Sequence, residues 1–185
     1  CNKQLNNSKT IMEHQRTITK LRSLKIGIML YLLIFLYGII ISLVLELKQE
    51  SVVLGMRNET THVLDEKYNN DMSYAIKVCA EAFDYLEKSG ELAMLYSVIG
   101  LVFALYYIRL DMHTRAKVLT LLLFGLGAGV IVLFYLSVGL LLPKSASVLA
   151  VKNSLKWLYF PGFIMMVLGG GLFVYHTFKR IVVQE

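Results

Sequence analysis

Four histidines and two cysteines are the residues on which catalytic or metal chemistry in this 185-residue chain would have to rest. His14, His62, His113 and His176 are scattered along the chain, without the close spacing that lets one helix or turn present two ligands to a metal. His113 falls in a short basic connection and His176 near the end of the last apolar run. If both lie on one side of a membrane they can approach each other, and such a pair admits haem or metal ligation, or proton transfer to a lipid substrate. The plainer reading of His176 is an interfacial residue beside Lys179 and Arg180. There is no Cys-x-x-Cys, no Gly-x-Ser-x-Gly and no phosphate-binding glycine loop. Gly169–Gly171 is a run of three glycines inside an apolar segment, where no phosphate would be cradled. The chain is therefore expected to be non-enzymatic, with no resident cofactor or metal.

The elements that would position these residues are set by composition. Hydrophobic residues make up 56% of the chain and charged residues only 17%, against roughly a quarter charged in soluble domains. Four uncharged apolar runs stand out: Ile26–Leu45, Leu92–Ile108, Val118–Pro143 and Trp157–Phe178. Each is close to or above the roughly 20 residues a helix needs to cross the hydrocarbon layer. None alternates as a barrel strand would, so helices must satisfy the backbone in lipid. The third run is the longest, and Pro143 is expected to end it. The fold predicted is an all-α integral membrane protein with four transmembrane helices in a bundle. A polar, basic tail over 1–23, expected to be mobile over at least part of Asn2–Lys20, precedes a membrane domain over 24–185, which includes an outer helical loop over 47–91. No Asp, Glu, Lys or Arg lies within the four runs, which argues against ion-coupled transport through a charged midplane site.

The formal charge of +6 is unevenly placed. Eleven of the 19 Lys and Arg lie in the N-terminal tail, the connection after the second run and the C-terminus, where Glu13, Asp111 and Glu185 are the only acids. The other side carries eight cations and ten acids. The positive-inside rule makes the denser basic side cytoplasmic, so both termini are expected inside, in the plasma (inner) membrane. Placed beside apolar spans, the cations contact membrane lipids; nucleic acid is not an expected partner.

In the outer loop, Met72, Ile76, Cys79, Phe83 and Leu86 recur at intervals of four and three. This is the seam of a short amphipathic cap helix, and Gly90 is expected to break it before the second span. The seam either closes a local core or meets a partner. Leu47–Met56 is expected to prolong the first span outward. Cys79 reads as an apolar packing residue in the seam, with an intersubunit disulfide as the alternative. Asn58-Glu59-Thr60 matches a glycosylation triplet.

Small residues recur within the spans at helix-packing intervals: Gly38 and Ser42; Ala93, Ser97, Gly100 and Ala104; Gly125 and Gly129; Gly162 and Gly169. Such stripes let backbones approach where lipid supplies no hydrophobic drive. Tyr31, Tyr37 and Tyr135 are the sizeable polar groups at depth, and Trp157 and Tyr159 suit a headgroup belt.

The opening "CNKQLNNSKT" resembles the mature end of bacterial lipoproteins, whose first cysteine is lipidated. Cys1 is therefore a candidate lipidation site, although a lipidated end would lie outside, against the charge count; a trimmed N-terminus is the alternative. Four spans with a larger first outer loop resemble the layout of claudins and other tetraspan proteins. The loop departs from the claudin pattern in having no Trp and only Cys79. It departs equally from four-helix quinone-linked thiol oxidoreductases, which need paired cysteines. No family is assigned on these grounds.

The expectation is a polytopic membrane subunit that assembles with itself, as a homo-oligomer, or with another membrane protein. The alternative is an oligomeric channel with a water path along Ser97, Thr120, Ser137 or the tyrosines. A small lipid-modifying enzyme using His113 and His176 is the third reading.

Overall fold

A computed structural model describes residues 2–69, 71–110, 113–145 and 147–183, with residues 2–23 and 181–183 described by backbone alone. Cys1 lies outside the described residues. Among the described residues seven helices follow one another: α1 (Asn2–Leu47), α2 (Gln49–His62), α3 (Leu64–Lys67), α4 (Met72–Arg109), α5 (Thr114–Ser145), α6 (Val148–Ser154) and α7 (Lys156–Val183). Four of them are long and apolar enough to cross a membrane: Leu24–Leu47 of α1, α4, α5 and Lys156–Arg180 of α7.

The helical backbone of α1 begins at Asn2 and passes position 23 without a break. Lys48 leaves helical geometry (φ −122°, ψ 26°), yet its N–H still donates to the Val44 carbonyl and its carbonyl still accepts from Val52, both at 2.9 Å. Both backbone groups of Lys48 thus stay paired where α1 passes into α2. At the start of α4, Asp71 Oδ1 accepts from the N–H groups of Ser73 and Tyr74 at 3.0 Å each, an N-cap that satisfies two otherwise orphaned donors. Those contacts, the Tyr74 N–H first, hold the Asp71 carboxyl below its usual range.

Two expected breaks are absent. Gly90 lies inside α4, which runs unbroken through 38 residues. The helix-weakening cost of a glycine is offset by contact: a Cβ at Gly90 would stand 2.9 Å from Ser42 Oγ, so α1 comes close only because that atom is missing. Pro143 likewise does not end α5, which continues to Ser145.

α1 packs on α4, α4 on α5, and α5 on α7. In the most apolar windows, 50% of α5 is buried against 17% of α1 and 11% of α7. α5 is therefore the internal helix, while α1 and α7 present long apolar faces outward. Two buried clusters result. One joins Leu24, Tyr31, Ala104, Tyr107, Leu110, Leu121 and Phe124 toward the end that holds the chain termini. The other joins Leu45, Met56, Tyr68 and the first half of α4 to Phe134, Val138 and Leu142 of α5 and to Val151 and Leu155.

Candidate functional site

The buried edge of α4 is built almost wholly of small residues. Ala93, Ser97, Gly100 and Ala104 are buried, and the same stripe continues back through Gly90, Ser89, Ala82 and Ala75. The serines do not offer free hydroxyls: Ser97 donates to the Ala93 carbonyl at 2.6 Å and Ser89 to the Leu86 carbonyl at 2.7 Å. Turned back on their own helix, they act as small spacers. Thr120 is fully buried and donates to the Ala116 carbonyl at 2.9 Å in the same manner.

α1 enters this stripe at two levels. Gly38 faces α4, where a Cβ would stand 2.7 Å from Met94 Cγ and 2.9 Å from the Gly90 carbonyl. One level along, Tyr31 is fully buried between Gly100 of α4 and Gly125 of α5. Its hydroxyl donates to the Leu121 carbonyl at 2.6 Å, which meets the need of a buried phenol for a partner. Tyr37 lies 3.4 Å from Ser89 Oγ, and Tyr135 is half-buried against the Tyr85 and Phe134 rings.

Gly162 and Gly169 are both buried where α7 meets α5. A Cβ on Gly169 would meet the Phe124 backbone nitrogen at 2.5 Å, and one on Gly162 would meet Val130 Cγ1 at 2.7 Å. Gly127 is their counterpart on α5, facing the Gly162 carbonyl and the Met166 backbone. Gly129 differs, because a Cβ there would find only Ile34 Cδ1 at an ordinary 3.7 Å. Gly127 and Gly139 are not among the packing positions expected from the sequence, and Gly90 is expected there only as a helix break. Gly139 sits under Leu86 and the Ala82 carbonyl, at 2.6 and 2.9 Å from where a Cβ would be. Gly90 stands three residues before Ala93 and so belongs to that stripe by spacing, whereas the roles of Gly127 and Gly139 show only once the helices are paired.

At the end of α4, two cations from other helices take up its terminal carbonyls. Lys117 of α5, only 4% exposed, donates from Nζ to the Tyr107 carbonyl at 2.7 Å and also to the Leu110 carbonyl. Arg180 of α7 donates to the Arg109 carbonyl at 3.4 Å. Cations at a helix C-terminus satisfy orphan acceptors and oppose the negative end of the dipole. Sequence reading counted Lys117 as a loop cation, but α5 starts at Thr114 and carries it inside. His113 is exposed in the preceding connection, and His176 is half-buried beside Tyr175. Among the described residues no three His, Cys, Asp or Glu stand together to hold a metal.

At the other end, the seam turns out rotated from the expected one. Cys79 and Leu86 are buried, Phe83 is half-buried, and Met72 and Ile76 are exposed. Ala75, Val78 and Ala82 take the inner positions instead, because the tight approach of α2 and α5 admits small side chains better than large ones. Thr60 of α2 is buried against Cys79, 3.6 Å from Oγ1 to Sγ, which leaves the thiol facing its own core. The Thr60 hydroxyl also donates to the Arg57 carbonyl at 2.8 Å, so the Asn58-Glu59-Thr60 triplet is helical with its threonine turned inward. Tyr68 ties this layer to α5 by donating to the Pro143 carbonyl at 2.7 Å, a buried contact. The nearby Lys144–Glu59 pair, at 3.4 Å, is more than half exposed on both sides and adds little.

One face has no counterpart. A Cβ at Gly170 or Gly171 would meet nothing within 4 Å, and Val167, Leu168, Val174 and Phe178 around them are exposed.

Comparison with known proteins adds no relative. No protein-family model, curated protein or solved structure matches the chain.

Proposed function

We propose that the chain is a polytopic membrane subunit that works by assembly, with itself or with another membrane protein, and not through a catalytic centre. Its four apolar helices cross the bilayer as a bundle, the α2–α3 layer and the start of α4 cap it outside, and both termini lie in the cytoplasm. The charge asymmetry between the two sides supports that orientation, and the plasma (inner) membrane is its proposed location.

The observation that carries the reading is the pair Gly170 and Gly171 on the open face of α7. A glycine inside a helix weakens it by roughly 0.5–1 kcal/mol relative to alanine. Most other glycines in the described helices are matched by a close neighbouring helix, as at Gly127 and Gly169, Gly129 and Gly55 being the exceptions. Adjacent glycines among exposed apolar side chains fit a second helix that approaches from outside.

The test is gentle detergent extraction followed by native mass spectrometry and crosslinking. The wild-type chain is expected in a complex of defined mass, and Gly170→Leu with Gly171→Leu is expected to release a folded single chain, since both side chains have room. A wild-type chain that leaves the membrane alone, uncrosslinked and unaccompanied, overturns the reading.

A further inference from the structure

At the cap end, α4, α5, α6 and α7 surround a recess of about 500 Å³ whose wall carries three lysines and no carboxylate. Lys88 comes from α4, Lys152 from α6 and Lys156 from the first turn of α7, while Tyr85, Tyr135 and Tyr159 supply aromatic surface. Two of the ammonium groups converge on one ring: Lys152 Nζ stands 5.1 Å and Lys88 Nζ 5.9 Å from the Tyr85 centroid. None of the three lysines is ion-paired among the described residues. Three like charges around one concavity repel each other until an anion enters, and a tyrosine face relieves only part of that. The volume is that of a small-molecule site. Trp157, 71% exposed beside Lys156, marks the level at which a headgroup region would begin.

We propose that this recess binds a phosphate-bearing anion, either the headgroup of an anionic lipid or a soluble phosphate ester of that size. The lysines hold the phosphate oxygens as point charges, and the tyrosine rings cover the glycerol carbons. The lipid source rests on the membrane reading given above; the anion chemistry does not.

The test uses the full chain in detergent micelles, titrated separately with phosphatidylglycerol, phosphatidylcholine and glycerol 3-phosphate and followed by native mass spectrometry. Wild type is expected to retain phosphatidylglycerol or glycerol 3-phosphate in preference to phosphatidylcholine, and which anion is retained identifies the source. The triple variant Lys88→Gln, Lys152→Gln, Lys156→Gln should bind that anion on the order of a hundredfold more weakly, from about fivefold per lysine. The charge-matched control Lys48→Gln, Lys67→Gln, Lys77→Gln, all exposed and outside the recess, should stay within about twofold of wild type. Retention of neither anion, or an equal loss in the control, overturns the site. Flotation with vesicles reports separately on the membrane reading: a chain that floats but retains neither anion loses only this site. A chain that fails to float loses the membrane reading, and the glycerol 3-phosphate titration still decides the site.

Discussion

The ring of Tyr31 fills the space that a side chain on Gly100 would need. The hydroxyl of the same tyrosine reaches past Gly125 to the Leu121 carbonyl at 2.6 Å, so one residue of α1 locks α4 and α5 together. Gly100→Ala should therefore force the ring out of place and cost on the order of 1–3 kcal/mol by overpacking. Tyr31→Phe should cost about 1 kcal/mol through the lost hydrogen bond alone. The decisive measurement is a double-mutant cycle by thermal unfolding in detergent. In a Tyr31→Ala background, the cost of Gly100→Ala should largely vanish; equal costs in both backgrounds would mean that the ring is not what fills the site.

The glycines of α5 should respond in opposite directions. At Gly127 a methyl would press on the Gly162 carbonyl at 2.7 Å and on the Met166 backbone, neither of which can yield as a flexible side chain would. Gly127→Ala is expected to lower stability by about 1–3 kcal/mol and to loosen α7. At Gly129 the same methyl meets only Ile34 Cδ1 at 3.7 Å, so Gly129→Ala should be neutral or raise stability by up to about 1 kcal/mol. Unfolding curves of the two single variants side by side check this, and a matching loss in both would remove the distinction.

That contrast marks how far one-dimensional pattern carries. The apolar runs located the four long helices, because exclusion of charge over twenty residues depends only on local composition. Small-residue spacing located the buried edge of α4 at Ala93, Ser97, Gly100 and Ala104. It could not separate Gly127 from Gly129, which sit two residues apart and point to different sides of α5. Only the partner helix decides which of them needs to lack a Cβ. The same limit explains Gly90, whose low helix propensity looked like a terminus until α1 lay against it. It explains the rotated seam as well: Met72 and Ile76 have the right spacing, but a close inter-helix approach favours Ala75 and Ala82. Lys117 was hidden for another reason, since charge marks a residue as surface unless a helix end nearby supplies acceptors.

Lys117 should be a structural cation. Replacing it by Met keeps the apolar stem but leaves the Tyr107 and Leu110 carbonyls without the Nζ donor. The expected cost is about 1–3 kcal/mol, the range for stranded buried acceptors, and Lys117→Arg should recover part of it. Thermal unfolding of the three proteins tests the order, wild type above Arg above Met. Limited proteolysis should show the α4–α5 connection cut sooner in Lys117→Met. A Met variant as stable and as resistant as wild type would remove the capping role.

The Asp71 cap predicts a specific acid sensitivity. Its carboxyl is held below the ordinary carboxylate range, first by the Tyr74 N–H and then by contacts with Ser73, assisted by Lys77. A folded pKa below the unfolded one means that the unfolded chain binds the proton more readily. The stabilisation is therefore fully present above the unfolded value, roughly pH 4, and is lost as pH falls through the lower folded value. Asp71→Asn keeps an oxygen to accept from Ser73 and Tyr74 but cannot titrate. At neutral pH the wild type should unfold at the higher temperature; toward pH 3 the gap between the two should close. Melting curves at several pH values supply the check, and a gap that stays constant into acid would mean that the charged carboxylate adds nothing to this helix start.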